Sequence, residues 1–469
     1  MDLNCPNLRE EKSSLFGITP FKTTLVCSSS PPVQTLDKED KVPLPRSGHR
    51  MVCVDRRLFI LGGYNPNLED NCDPFWQLTK PLFAELWRFN TVTDTWTKMF
   101  QCHMEKSDGL VSFGCAVSGF SMFHLGGTGV PFGESSHNCL RVCDLQTGAW
   151  EKVETAGASP LSCYGQAVTL DDNELYVVGG TTGYEYNMDV HKINVVDRVW
   201  EQLYQTSADH HLPMTRYRHE IILHGENLLV FGGGQKEATA PLDRLPAFSL
   251  TALRWHQVVA TEPDPATNTY PLPRKCHVTV QHENYVYIHG GCNEHISYGD
   301  MWRLDLRTLL WQELPHAATS PRHFHAASLT QEGCLYLHGG VLANTESSAE
   351  RSGDLLKCWL TVPSLHRMSW DALRHYFPHI VRLTPLQLYH LGVPNIDIRD
   401  SDLETPQPEH PCSSLHQNVL EFMSNRELLV EGGRDVELRR RLVVMRIENV
   451  DLRDVGIQAE DEDDHLNWE

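Results

Sequence analysis

Six Gly-Gly pairs, each closing a short apolar strand, constrain this 469-residue chain more than any other feature. They stand at Gly62-Gly63, Gly126-Gly127, Gly179-Gly180, Gly232-Gly233, Gly290-Gly291 and Gly339-Gly340, in strings such as LFILGG, LYVVGG and YVYIHGG. Successive pairs are 64, 53, 53, 58 and 49 residues apart. One Gly-Gly is an ordinary turn, but six with the same kind of strand before them are a repeat. Five are followed by a strand that carries a tryptophan: Trp96, Trp150, Trp200, Trp255 and Trp311. Four are preceded by an arginine–histidine turn, in PRSGHR, TRYRHEI, PRKCHV and PRHFHA.

A period near 50 residues of this composition is that of a kelch blade. The fold class read from it is all-β: a six-bladed kelch β-propeller followed by a small helical segment. Blades pack face to face, so their strands need apolar residues on both faces. Gly-Gly lets the chain leave an inner strand with positive φ beside the crowded channel. The outer-strand tryptophan fills the widening gap between blades. The sixth blade lacks the usual outer strand: after GDLLKCWLTV, at 353–362, the chain turns to Pro363 and a helical pattern. A fourth strand has to come from elsewhere, and residues 21–27 (FKTTLVC) or 33–36 are the candidates, so the ring closes through its N-terminus. The expected organisation is an N-terminal segment, 1–40; the propeller, 41–362; a helical segment, 363–394; and a linker with an acidic tail, 395–469. VEGG at 430–433 lacks the spacing and the tryptophan, and counts as no seventh blade.

The formal net charge of −21 opposes nonspecific nucleic-acid binding and docking on anionic membranes. No apolar run approaches the roughly 18–20 residues of a membrane span, and the N-terminus has no apolar signal core. The expected location is cytoplasmic and nuclear. The 14 cysteines include no C-x-x-C pair, and most sit inside apolar strands. They read as free thiols, with neither a disulfide framework nor a zinc site. No constellation of catalytic residues and no cofactor or metal site is evident, so the chain reads as a non-catalytic binder.

Residues 363–391 carry Leu365, Met368, Trp370, Leu373, Tyr376 and Phe377 near one helical stripe, and a second helix is expected from Thr384-Pro385. Ser364-Leu365-x-x-x-Ser369-x-x-x-Leu373 matches the pattern of an elongin-binding BC box, with Ser369 where that motif usually has cysteine. Phe377-Pro378-His379-Ile380-Val381 matches the apolar-Pro-x-x-apolar core of a cullin-2 box. Together with PRSGHR, GGYNP (62–66), LFAELWRF (82–89), GGTGVPFGES (126–135), GGTTGYEY (179–186), RYRHEI (216–221) and VPSLHRMSW (362–370), these strings resemble the kelch domain-containing protein 10 family over residues 41–393.

That resemblance implies a substrate-recognition subunit of a cullin-2 RING ubiquitin ligase. Its partners would be elongin B, elongin C, cullin-2 and a RING-box protein, and its substrates proteins with C-terminal glycine degrons. Elongin contact would fall to Leu365, Ser369 and Leu373, and cullin contact to Phe377 and Pro378. The resemblance also implies a second role, inhibition of protein phosphatase 5 in stress-kinase signalling. A free carboxylate needs arginine or backbone amides. Position alone nominates Arg46, Arg216, Arg218, Arg274, Lys275 and Arg322 from the turns, with Tyr64, Tyr184, Tyr186 and Gln235 after the Gly-Gly pairs.

Overall fold

A computed structural model describes residues 20–28, 42–68, 82–99, 109–207, 213–343, 349–383 and 387–388. The chain divides into two compact units, Met1–Pro363 and Ser364–Glu469. The first holds six sheets built on four antiparallel strands each, arranged as the blades of a propeller. Blade 1 runs Arg50–Val54, Arg57–Leu61, Leu86–Asn90, Thr95–Met99. Blades 2 to 5 repeat that plan in sequence order, blade 3 with a short extra edge strand, Ala156–Gly157. The first strand of each blade contacts the first strands of its two neighbours, which puts these strands around the axis. The strand that ends in Gly-Gly is therefore the second one out, next to the strand led by the arginine–histidine turn.

Gly-Gly does a different job from leaving the channel wall. The second glycine of every pair donates its N–H to the next blade, to the carbonyl of the residue that opens that blade's inner turn. The six bonds are Gly63 to Leu110, Gly127 to Cys163, Gly180 to Arg216, Gly233 to Arg274, Gly291 to Arg322 and Gly340 to Arg46, at 2.8–3.1 Å. The first glycine lies against the same carbonyl. A Cβ on Gly62 would sit 2.4 Å from the Leu110 oxygen, and one on Gly232 would sit 2.4 Å from that of Arg274. Only glycine allows this approach at positive φ.

A second cycle lies two residues further along each turn. Gly48, Ser112, Gly165, Arg218, Cys276 and Phe324 all have φ between 57° and 71°. Each donates its N–H to the carbonyl of its counterpart in the preceding blade: Ser112 to Gly48, Gly165 to Ser112, Arg218 to Gly165, Cys276 to Arg218 and Phe324 to Cys276. Gly48 closes the circle onto Phe324, and all six are 2.7–3.1 Å long.

Between blades lie six apolar clusters, one per gap. The cluster between blades 4 and 5 joins Leu229, Phe231 and Leu245 to Ile288, Trp302 and Trp311. Trp311 is fully buried, and its indole N–H reaches the Leu242 carbonyl and Thr261 Oγ1 at 3.2 and 3.1 Å. Trp200 fills the gap between blades 2 and 3 in the same way. Burying each such side chain contributes about 1.5–3 kcal/mol.

Blade 6 takes its outer strand from the other end of the chain. Thr23–Cys27 pairs antiparallel with Leu355–Trp359, with Thr24 opposite Lys357 and Leu25 opposite Leu356. The strand is tied on both sides: Thr23 Oγ1 donates to the Ala317 carbonyl at 2.7 Å, and Trp96 of blade 1 donates its indole N–H to Cys27 Sγ at 3.3 Å. Residues 33–36 lie outside the described set. Asp354 and Leu360 bond the inner neighbour and Trp359 bonds the N-terminal strand, so the alternation makes Thr24, opposite Lys357, a hydrogen-bonded ladder residue, and a proline there removes a donor from this seam. Thr24→Pro should lower the thermal midpoint by several degrees while an exposed control, Val196→Thr, leaves it unchanged, as differential scanning calorimetry would show.

The fourth turn residue is histidine in four blades: His49, His219, His277 and His325. All four are buried. Burial, then the neighbouring arginine charge, holds His219 and His277 down to about 3. Burial also holds His124 and His289 to about 3. These rings are neutral in the fold and protonate near pH 6.5 when unfolded. Their depressed folded values mean that the unfolded chain binds more protons, so stability is full above pH 6.5 and falls as pH drops toward 3. Urea midpoints should therefore fall steadily from pH 7 to pH 5, a range above the titration of ordinary carboxylates.

The second unit contains one helix among the described residues, α1, Leu365–Tyr376. Ser364 caps it, accepting from the Arg367 N–H at 3.2 Å. Phe377 ends it, and Pro378–Arg382 continues as a 3-10 turn. The second helix expected from Thr384 begins on residues outside the described set, as do 395–469 with the acidic tail. No described helix is long and apolar enough to cross a membrane.

Candidate functional site

The inner turns and the loops after Gly-Gly meet on one face of the ring. In each blade the second turn residue pairs with the residue that follows the glycines: Ser47 with Tyr64, Val111 with Thr128, Tyr164 with Thr181, Tyr217 with Gly234, and Lys275 with Cys292. His323 pairs with Val341 in a small three-stranded sheet that also contains Arg351. This face is the mouth of the central channel.

Four of the arginines chosen from sequence are structural. Arg46, Arg216, Arg274 and Arg322 are at most 4% exposed. Each folds back on its own blade. Arg216 Nε donates to the Met214 carbonyl and Nη1 to that of Gly232, both at 2.9 Å. Arg274 makes the same pair of bonds to Leu272 and Gly290, Arg46 to Leu44 and Gly62, and Arg322 to Ser320 and Gly339. Arg274 also grips Asp300 with both nitrogens, at 2.7 and 2.9 Å. Burial pushes Asp300 up, but the hydrogen bond and charge of Arg274 hold it below the usual carboxylate range. Burial works against Glu85 too, yet Arg46 and Lys98 hold it down to about 2. These four guanidiniums brace the strand that carries Gly-Gly and are not available to a ligand. The repeat itself is the reason: a residue required in blade after blade serves the blade.

Lys275 is buried and committed as well. Its Nζ donates to the carbonyls of Gln235 and Lys236 and pairs with Glu294 at 3.1 Å. Gln235 is turned back to Thr215, donating to its carbonyl and its Oγ1. Tyr184 stands free at the tip of the blade 3 loop, 84% exposed. Tyr64 and Tyr186 are half-buried on the mouth wall, where Tyr64 meets Phe132 edge-on at 5.3 Å and Tyr186 lies 5.4 Å from Tyr217.

Arg218 is different from the other four. It occupies the non-repeated third turn position, on the hydrogen-bonded ring at the channel. Its guanidinium lies 4.5 Å above the Phe324 ring, a cation–π contact across the mouth. Its Nε is buried without a hydrogen-bond partner. Beneath it, Arg50 and Glu220 from opposite blades form an ion pair of 3.1 Å across the channel. Arg351 adds a second guanidinium, bonded to the Ala349 carbonyl and, at 3.4 Å, to Ser47 Oγ. Between them sits His323, held down to about 4 by burial and then by the charges of Arg351 and Arg218. It is neutral at pH 7, so the positive charge belongs to the arginines. Among the described residues neither Arg218 nor Arg351 has a carboxylate within ion-pair distance.

The mouth thus gathers aromatic and cationic groups: Tyr164, Tyr217, Tyr186 and Tyr64 with Arg218, Phe324 and Arg351. Tyr164 and Tyr217 face each other edge-on at 6.2 Å. Sequence reasoning missed Tyr164, Tyr217, His323, Phe324 and Arg351. A signal existed for four of them, since they fill the variable second and third positions of turns whose first and fourth positions repeat. Among the described residues no group of three His, Cys, Asp or Glu is placed to hold a metal ion.

The helix residues are placed as follows. Leu365 is 77% exposed in the first turn of α1, and Ser369, also exposed, bonds back to the Leu365 carbonyl at 2.7 Å. Leu373 is half-buried on the same side, Phe377 caps the helix, and Pro378 opens the following turn. Trp370 and Arg367 are buried, Arg367 paired with Asp371 at 3.3 Å.

A six-bladed ring of this repeat is a kelch propeller, a class whose members are in general non-catalytic binding modules. The family model for the KLHDC2/KLHL20/DRC7 Kelch-repeats domain matches residues 23–233 and 205–370. Kelch domain-containing protein 10 of Rattus norvegicus is 39% identical over 356 residues, covering 75% of this chain and 84% of the relative. The Xenopus tropicalis protein of that name is also 39% identical, over 77% of this chain and 87% of its own. The kelch domain-containing protein 10 homolog of Drosophila melanogaster is 32% identical over 75% of this chain and 61% of its own. The chain belongs to the kelch domain-containing protein 10 family, and with it goes a substrate-binding role of the kelch type.

Arg274→Leu takes from half-buried Asp300 its ion partner, leaving it only the Trp302 indole N–H, and strips the Leu272 and Gly290 carbonyls of their donor, so it should cost about 3 kcal/mol of stability. Arg218→Ala removes no ion pair and should stay within about 1 kcal/mol. Urea unfolding of the two variants separates the bracing arginine from the mouth arginine.

Proposed function

We propose that this chain is a substrate-recognition subunit of a cullin-2 RING ubiquitin ligase, acting in the cytoplasm and nucleus. Elongin B and elongin C dock on α1 through Leu365, Ser369 and Leu373. Cullin-2, with its RING-box protein, follows through Phe377 and Pro378. The propeller mouth takes the C-terminal glycine of a substrate protein, which is then ubiquitinated and degraded by the proteasome. The observation that carries the reading is Leu365. Leu365 stands 77% exposed in the first turn of a capped helix, on the same side as exposed Ser369, where another protein's groove can receive both. Ser369, exposed one turn on, spends its hydroxyl on the Leu365 carbonyl and so offers a small, nearly apolar surface at the cysteine position of the motif.

The mouth supports the second half. A chain-terminal carboxylate needs a cation without a carboxylate of its own, and Arg218 and Arg351 meet that need. A guanidinium already stacked on Phe324 loses little freedom on binding.

Purified elongin B–C should co-elute with the wild-type chain and be lost with Leu365→Ala, while binding of a fluorescent Gly-ended peptide stays unchanged. Arg218→Ala with Arg351→Ala should weaken that peptide at least about tenfold, the loss of one charge-assisted contact or more, and a C-terminally amidated peptide should bind as poorly. Retention of elongin B–C by Leu365→Ala overturns the ligase half. Equal affinity for acid and amide peptides overturns the degron half.

A further inference from the structure

Blade 3 keeps one half of the brace that its sister blades build and has lost the other. Blade 1 sets Arg46 against Glu85, and blade 5 sets Arg274 against Asp300. Each acid stands eleven residues before its blade's outer tryptophan, Glu85 before Trp96 and Asp300 before Trp311. Asp189 stands eleven residues before Trp200. The strand register agrees: Val178 faces Val190 as Leu61 faces Leu86 and His289 faces Met301, which brings each acid opposite the first glycine of its pair. At the turn position that carries the arginine, blade 3 has Cys163. Blade 2 has replaced both partners, by Leu110 and Cys139, but blade 3 has replaced only the arginine. Cys163 Sγ lies 4.0 Å from the Gly179 carbonyl. In the sister blades the arginine Nη1 holds the equivalent carbonyl at 2.9–3.3 Å.

A narrow cleft occupies the place of the absent guanidinium. Its lining includes Leu161, Cys163, Val177, Gly179, Asn187 and Asp189. Three of these correspond to the groups that Arg274 holds in blade 5: Leu161 to Leu272, Gly179 to Gly290, and Asp189 to Asp300. Leu161 is 61% exposed, so the cleft reaches the surface there. Asp189 is only 9% exposed. Its Oδ1 accepts from the Thr206 N–H at 2.7 Å, and among the described residues no cation lies within ion-pair distance of it. His191 lines the cleft too, but burial, against the pull of Asp189, holds it below its ordinary value, so at pH 7 it brings no charge. A buried carboxylate without a counter-charge is costly, and a cation that enters relieves that cost.

We propose that this cleft is a socket for an arginine side chain of a partner protein. The entering guanidinium pairs with Asp189 and donates to the Gly179 and Leu161 carbonyls, the set of bonds that Arg274 makes within blade 5. A planar fork of donors fits a carboxylate and two fixed carbonyls, whereas the ammonium of lysine is a point charge that does not span them. Exposed Leu161 at the opening is an apolar contact that a protein segment covers and a small free cation does not. The socket uses none of the groups assigned to the degron or to elongin.

The test uses the full chain, isotope-labelled at its valine and leucine methyls. Acetyl-Leu-Arg-Leu-amide should shift the Val177 methyl signals saturably. The same peptide with lysine, or with uncharged citrulline, in place of arginine should bind at least about tenfold more weakly. N-acetylarginine amide, which cannot cover Leu161, should also bind more weakly than the peptide. Asp189→Asn keeps an acceptor for Thr206 and should weaken the arginine peptide by a similar factor. Cys163→Arg supplies the side chain from within, so it should raise the thermal midpoint and leave Val177 unmoved by the peptide. Should that variant not fold, the Asp189→Asn comparison decides alone. The proposal is overturned if the arginine peptide leaves Val177 unmoved in the wild type, if lysine or citrulline serves as well, if N-acetylarginine amide binds equally tightly, or if Asp189→Asn or a folded Cys163→Arg binds undiminished.

Discussion

One hydrogen bond, repeated six times, organises this molecule: the N–H of the second glycine of each pair to the first turn carbonyl of the next blade. A propeller blade is a small sheet that cannot bury its own faces, so it is stable only against its neighbours. Side-chain packing between blades is apolar and tolerates sliding. The Gly-to-carbonyl bond does not, because it ties one backbone to another at a fixed register. The contact needs a residue without Cβ, since a Cβ at Gly62 or Gly232 would strike the same carbonyl. The arginine on the accepting residue turns back to its own blade's first glycine in four of the six turns, so each staple is itself braced.

The inner ring at the channel depends on those staples. Ser112, Arg218, Cys276 and Phe324 hold positive φ with full side chains, a conformation that costs roughly 1–3 kcal/mol each. They persist there because every one is fixed by a bond to the blade before it and by the staple behind it. The consequence is functional. A left-handed residue at the ring presents its side chain to the mouth, which is how Arg218 comes to lie over Phe324. Strain distributed over a closed ring thus supplies the groups from which a binding site is made. Blades 1 and 3 place glycine at the same position, where a Cβ would meet Val111 at 2.7 Å and Tyr217 at 2.9 Å.

Closure of the ring draws on distant sequence. Gly340 to Arg46 and Gly48 to Phe324 complete the two cycles, and Thr23–Cys27 completes the sixth sheet. The outer strand brings no tryptophan of its own, and its Cys27 instead accepts from Trp96 of blade 1. The seam where the two ends of the propeller meet is therefore held at the axis, in the sheet and at the rim.

The sequence by itself determined the architecture, because period and composition are local and repeated: six apolar strands ending in Gly-Gly, five outer tryptophans and one missing outer strand require a six-bladed ring. It also determined the helix over 365–376 from its apolar spacing, whereas Leu365, Ser369 and Leu373 were singled out by a motif, and the structure divides the apolar stripe between buried Trp370 and exposed Leu365. It misled on the mouth. Arg46, Arg216, Arg274 and Arg322 looked like ligand-binding groups because they recur beside the channel, yet recurrence is the mark of a residue that holds the blade. What faces the mouth occupies the positions that vary, and Arg218 fills such a position while Arg216 fills a recurring one. Only the tertiary structure decided that one guanidinium is spent on Gly232 and the other lies over Phe324 with no carboxylate of its own, because that difference arises from a left-handed backbone fixed by a neighbouring blade.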